Sequence, residues 1–389
     1  MKILCTTSRM PFAVDEIRKL GEQGHEVYAA DTFRTAPGSH SSGVHERVVV
    51  PAPKQDTLAF VQAVVDLVTD EGIELIVPMF EDVFYLSKHR ADLPTATHLF
   101  CPPFETLAEV HDKARFLQLC KRISVPVPET VVASSDAELR SAVGAFPRYF
   151  ARAAYSRGGV ELLTNTGPLA GTVAVEDVHP TVDNPWVVQA FVEGKDLCSF
   201  SVVHRGRVAA HCTYEHPRTI EHAGGIEFVS VDEPRTLELA QQIAAETGYE
   251  GQLSFDWLVH DDGSISIVEC NPRPTDGVTL MSAVAFVGAL LDPQPQVTVV
   301  PAGQRSEIKF AMLRDMFREP KNLPQDVREL FEAPDVYHGK HDVKPFLYEV
   351  LSYSHVFAFR HHEHPHAHKH TDLVAAQFFD VEWDGSPIP

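Results

Sequence analysis

What the chain has little of narrows it first. There are six cysteines in 389 residues, and none stand in a C-x-x-C pair. Cys5, Cys101, Cys120, Cys198, Cys212 and Cys270 sit mostly in apolar runs. That excludes a disulfide scaffold or a zinc framework and predicts reduced, buried thiols. Positive charge is scarce: 33 Lys and Arg against 54 Asp and Glu leave a net charge of −21. A general nucleic-acid or anionic-membrane binder is thereby excluded. Long apolar runs are missing too. The longest, Val278 to Leu291, contains serine and glycine and falls short of the roughly 20 residues a bilayer span needs; it suits a buried helix. Met1 to Cys5 reads as a strand, not as a secretory leader, so the expected compartment is the cytoplasm. No G-x-G-x-x-G follows that first strand, which removes the dinucleotide fingerprint.

What is present is ordinary globular material. Hydrophobic residues make up 44% and charged residues 22%, enough for two or three domains with real cores. Strands are expected at residues 2–7, 26–30, 48–50, 74–79 and 98–101. Helices are expected at 11–23, 58–69 and 81–90, where apolar residues recur near helical spacing. Strand alternating with helix predicts a doubly wound, Rossmann-like parallel sheet. A longer helix, 105–123, leads into Val125-Pro126-Val127-Pro128.

The most informative stretch is Ser254 to Arg273. Two apolar-rich runs flank Asp261-Asp262-Gly263, the pattern of a β-hairpin. A loop from Asp261 to Ser264 sets His260 against Ile265 and Asp256 against Glu269. One face then carries Ser254, Asp256 and Leu258 with Ile267, Glu269 and Asn271. The other carries Phe255, Trp257 and Val259 with Ser266, Val268 and Cys270. Two carboxylates about 5 Å apart at Cβ repel each other, and each is costly to keep ionised beside apolar surface. A shared divalent cation removes both objections. Mg²⁺ takes carboxylate and carbonyl oxygens, completed by water and phosphate. An ordinary surface hairpin with a wet acidic face is the alternative.

Glu269-Cys270-Asn271-Pro272-Arg273 resembles the E-x-N-P-R signature of the ATP-grasp superfamily, particularly carbamoyl-phosphate synthetase large chains and carboxylate–amine ligases. Further marks follow the family's order over about residues 105–290. Asp112-Lys113 precedes the Val-Pro-x-Pro segment. Arg152 ends a short strand before Gly158-Gly159; many relatives have Lys there, and the usual following proline is Ala153. Trp186 to Asp196 resembles the linker that holds adenine.

The resemblance implies roles. Lys113, Arg152, Gly158 and Gly159 would surround the phosphates of ATP. Gln189, Ala190 and Phe191 would meet the adenine, and Asp196 the ribose hydroxyls. Asp256, Glu269 and Asn271 would hold two Mg²⁺ ions, with Mn²⁺ as a substitute. Arg273 would contact the transferred phosphoryl group or a substrate carboxylate, and Arg218 is a second candidate for that carboxylate. Asp276 departs from the Ser- or Gly-rich loop of many relatives and bears on an amine-bearing substrate.

The implied fold is α/β and α+β. A Rossmann-like domain (1–104) precedes an ATP-grasp module of two α+β subdomains (105–190 and 191–305) and a small C-terminal lobe (306–389). The implied activity is an ATP-dependent carboxylate–amine or carboxylate–thiol ligase that makes an acyl phosphate and releases ADP and phosphate. Its partners would be ATP, a carboxylate, and a nucleophile such as an amine or amino acid. No nucleic acid or membrane is expected, and a homodimer is compatible with the sequence. The alternatives are carbamoyl-phosphate-type transfer without amide formation, or a non-catalytic nucleotide- or metal-binding protein. A metal-binding reading would draw on His361, His362, His364, His366, His368 and His370, since clustered imidazoles bind Zn²⁺, Ni²⁺ or Cu²⁺. Helices at 307–317 and 346–359 and a strand at 378–383 complete the expected elements.

Overall fold

The computed structural model describes residues 1–156, 162–220, 224–318, 333–339, 341–363 and 378–389. The first sheet is parallel and is ordered β3 (Val44–Val49), β2 (Glu26–Asp31), β1 (Lys2–Cys5), β4 (Leu75–Val77), β5 (His98–Leu99). Helices α1 (Pro11–Glu22), α2 (Thr57–Glu71) and α3 (Asp82–Lys88) connect these strands. Ile3, Leu4, Val27, Ile76 and Val77 are fully or almost fully buried, as parallel strands covered on both faces must be. The strand order reverses between β1 and β4, which opens a crevice at their carboxyl ends.

The expected 105–123 helix is two: α4 (Phe104–His111) and α5 (Lys113–Arg122). Asp112 breaks it. Its carboxylate accepts from the amides of Ala114 and Arg115 at 2.8 and 3.1 Å and so caps the second helix. An antiparallel four-stranded sheet follows, ordered β6 (Thr130–Ala133), β9 (Trp186–Ala190), β7 (Tyr149–Ala153), β8 (Leu162–Thr164). It packs on α6 (Asp136–Ala145) through Leu139, Ala142 and Trp186.

The third sheet runs β14 (Ile265–Asn271), β13 (Gly251–His260), β10 (Gly194–His204), β11 (Arg207–Ile220), β12 (Gly224–Ser230), β16 (Arg305–Glu307), with β15 (Thr298–Val299) beside β11. Arg205 and Gly206 both have positive φ, 47° and 81°, as a tight hairpin turn between β10 and β11 requires. Helices α7 (Pro234–Thr247) and α8 (Ala283–Leu291) pack against this sheet. The chain continues through α9 (Lys309–Arg318) and α10 (Lys344–Glu363).

Residues 378–383 are not a strand. They lie across the crevice of the first sheet: Phe378 stacks on Phe80 at 4.9 Å, and Arg9 ion-pairs with Asp380 at 2.5 Å. Trp383 packs on Phe84 at 4.7 Å and on Phe104 at 5.3 Å. Anchoring by these side chains takes the place of strand pairing.

Candidate active site

The hairpin of β13 and β14 sets Asp256 opposite Glu269 and Ser254 opposite Asn271. Towards the turn the expected register fails. Val259, not His260, pairs with Ile265, and Ile267 pairs with Trp257. The cause is a bulge that leaves Val268 without a partner and turns Ile267 to the buried side. One extra residue in a strand exchanges its faces from that point on. The polar end keeps the expected alignment.

Around that end the side chains interlock. Asn271 Nδ2 donates to Glu269 Oε1 at 3.5 Å, and Arg273 Nη2 donates to Asn271 Oδ1 at 3.2 Å. The Cys198 thiol, across from Asp256 on β10, donates to Asp256 Oδ1 at 3.2 Å. Arg152 reaches over from β7, its Nη1 2.5 Å from Glu269 Oε2. Lys113 Nζ lies 3.7 Å from the same oxygen and donates to the Ser156 carbonyl. Lys113 is the first residue of α5, so the Asp112 cap fixes its position.

The electrostatics divide the acidic pair. Burial and the adjacent Glu269 push Asp256 up to about 8. Burial also acts upward on Glu269, but Arg152 and then Lys113 outweigh it and hold Glu269 well below the usual carboxylate range. Asp256, Glu269 and Asn271 therefore place oxygen donors on one wall, with the two carboxylates too close to ionise together without a cation. That donor set suits a hard divalent ion. Among the described residues no three His, Cys, Asp or Glu side chains form a metal cluster.

The other expected residues are distributed as follows. Gln189 is buried on β9, its Nε2 3.3 Å from Thr130 Oγ1. The amides of Ala190 and Phe191 donate to the Glu129 and Arg148 carbonyls, each at 2.9 Å. Those two amides serve the fold, and an adenine at this linker would take its donor from elsewhere. Asp196 is exposed on β10 opposite Leu258, two residues from Cys198 along the strand and thus on the face that carries Asp256. Arg218 is on β11. It lies opposite Glu227 in the β11–β12 pair, past Tyr214, which is the β11 residue level with Cys198. Gly158 and Gly159 lie outside the described residues, as do His364, His366, His368 and His370. His361 and His362 are exposed in the last turn of α10.

Three further residues contribute to the site. Phe80, three residues past β4, supports the Arg273 guanidinium at 4.5 Å from its ring centre. Cys198 contacts Asp256, and Asp112 sets Lys113. Only Asp112 had a readable signal, a capping residue just before Lys-Ala-Arg.

No protein-family model matches the chain. A relative found by sequence is the carbamoyl phosphate synthase large chain of Deinococcus radiodurans, 28% identical over 199 residues. The match takes in 46% of this chain but spans only 18% of that protein. Among solved structures, the N5-carboxyaminoimidazole synthetase of Staphylococcus aureus, complexed with ADP, aligns with a TM-score of 0.62 at 10% identity. It covers 82% of this chain and 86% of that one. The biotin carboxylase of Campylobacter jejuni, in a βγ-ATP complex, aligns with a TM-score of 0.58 at 15% identity, covering 76% and 71%.

A doubly wound domain followed by two antiparallel sheets, with an acidic hairpin facing lysine and arginine, defines an ATP-grasp architecture. The chain has the fold of these ATP-grasp enzymes, and part of it is similar in sequence to carbamoyl phosphate synthase large chains, of whose length it spans about a fifth. No helix among the described residues is long and apolar enough to cross a membrane.

Proposed function

We propose that the protein is an ATP-dependent carboxylate ligase that releases ADP and phosphate. The observation that carries this reading is the meeting of Asp256, Glu269 and Asn271 with Arg152 and Lys113 at one point. In the proposed reaction a carboxylate oxygen bonds to the γ-phosphorus of ATP as its bond to the bridging oxygen breaks, giving an acyl phosphate and ADP. An amine then bonds to the acyl carbon, loses a proton and expels phosphate, leaving an amide.

Asp256, Glu269 and Asn271 would hold Mg²⁺, which when bound offsets the charge of the phosphates and of the two acids. Lys113 and Arg152 orient the phosphates, exchanging Glu269 for phosphoryl oxygens. Arg273, braced by Phe80, stabilises charge on the transferred group. Asp196 accepts from the ribose hydroxyls. The adenine lies along residues 189–193. Positioning and charge neutralisation supply most of the catalysis in such transfers.

The test is nucleotide product analysis with a panel of carboxylic acids and amines. ADP formed only when an acid is present supports the proposal; AMP and pyrophosphate would overturn it. ADP formed with bicarbonate and ammonia, without amide product, would favour carbamoyl-phosphate-type transfer, a reading the sequence similarity to a carbamoyl phosphate synthase supports. Binding of nucleotide with no turnover would indicate a non-catalytic protein.

A further inference from the structure

A second polar region shares the crevice of the first sheet with Arg273. The β1–α1 turn supplies Arg9, Met10 and Pro11, and α10 closes over them with Glu349, Ser352 and Tyr353. Tyr337 completes a cavity of about 20 Å³. That is room for a single water-sized group. Phe80, which braces Arg273, lies three residues past the carboxyl end of β4, the strand beside β1. The cavity and Arg273 therefore lie over the same switch point, where open α/β sheets bind ligands.

Three acids beside it each keep a buried oxygen without a partner among the described residues. Glu349 is 2% exposed, and its Oε2 has no hydrogen-bond partner among the described residues. Asp335, 7% exposed, and Asp276 each also have a buried carboxylate oxygen with no such partner. Asp276, Asp335 and Glu349 all bear electrostatically on Tyr337. The nearby cations are shared with other acids, although Arg273 bears on Asp276 and Lys309 on Asp335. Arg9 binds Asp31 at 2.6 Å and Asp380 at 2.5 Å. Arg18 binds Asp342 at 3.0 Å and the Val336 carbonyl at 3.1 Å. Lys309 Nζ lies 3.4 Å from Glu307.

A buried carboxylate without a partner calls for a cation or a donor. The volume excludes a guanidinium, and the charge excludes carboxylate or phosphate. Tyrosine faces beside an acid are suited to an ammonium ion. We propose that this cavity takes the primary ammonium group of the carboxylate substrate, which makes that substrate an amino acid, and that Glu349 selects for it. This rests on the ligase reading, in which Arg273 faces the transferred phosphoryl group and so the carboxylate that receives it. The ammonium is held as a recognition group and is not the attacking amine.

The test uses the full chain, with proteinogenic amino acids each paired with its desamino acid. Two readouts are taken: thermal shift without nucleotide, and acid-dependent ADP release at saturating ATP. In the wild type, at least one amino acid binds and its desamino partner binds far more weakly. Glu349→Gln raises the dissociation constant and KM of that amino acid about tenfold or more, and leaves the KM for ATP and the response to the desamino acid unchanged. Ser352→Leu, which fills the cavity, has the same effect should Glu349→Gln fold poorly. Equal response to both acids, an unchanged KM in both variants, or no binding by any amino acid overturns the proposal. A changed requirement for potassium or ammonium ions alone would also overturn it, reassigning the cavity to a monovalent ion. Binding that depends on Glu349 without ADP release would sink the ligase reading and keep the cavity. Turnover indifferent to Glu349 would do the reverse.

Discussion

At the scale of single residues, Glu269 carries the most weight. It faces Asp256 across the hairpin and binds Arg152, Lys113 and Asn271. Glu269→Gln keeps the shape and removes the charge. ADP formation should fall on the order of a hundredfold or more, taking the effect typical of groups one step further from a metal as the lower bound, while circular dichroism stays unchanged. Retained activity would show that the metal ligands lie elsewhere. Arg9 is the structural counterpart. Its side chain is 4% exposed and joins Asp31 and Asp380. Arg9→Leu leaves two buried carboxylates without their cation, so denaturant unfolding should report a loss of about 3–5 kcal/mol.

At the scale of elements, the hairpin was legible because alternation and the Asp-Asp-Gly turn both marked it, and strand pairing then had to bring Asp256 to Glu269. The bulge at Val268 was not legible, since nothing in Ile-Ser-Ile-Val-Glu marks one residue as extra. The joined helix 105–123 misled because apolar spacing continues through Asp112, and the cap decides the break. The linker glycine has a local reason. A Cβ on Gly194 would fall on the Val259 carbonyl oxygen and 3.0 Å from its carbon. Gly194→Ala should part β10 from β13 and lower stability by about 1–3 kcal/mol, measurable by thermal or urea unfolding. Its effect on nucleotide affinity should exceed that of Gly224→Ala, where a Cβ meets nothing within 4 Å.

At the scale of the whole molecule, burial of ionisable groups sets the response to pH. Burial raises Glu16 and Glu349 to about 8, and Asp276 and Glu307 to about 7. Each binds a proton more tightly when folded, so its contribution is full below the unfolded value near 4 and is lost as pH rises through 7–8. His211 and His216 are lowered by burial to about 3 and 4. Their contribution is full above the unfolded value near 6.5 and is lost as pH falls towards 3–4. The ligand-free melting temperature should therefore drop from pH 6 to pH 8.5, and Glu16→Gln should flatten that slope. The fold class, a parallel sheet followed by α+β parts, was readable from strand and helix alternation and from the ordered family marks. The course of residues 378–383 was not, because it depends on Phe80 and Arg9, hundreds of residues earlier in the chain.

Arg152 on β7 and Glu269 on β14 also join two separate sheets. The resting protein is thus clasped by its own charges, and under the proposed function a triphosphate would enter by changing partners, not by drawing together parts that stood open. Small-angle scattering should find the wild type equally slim with and without nucleotide. Arg152→Gln should be broader when empty and contract when nucleotide and Mg²⁺ are added.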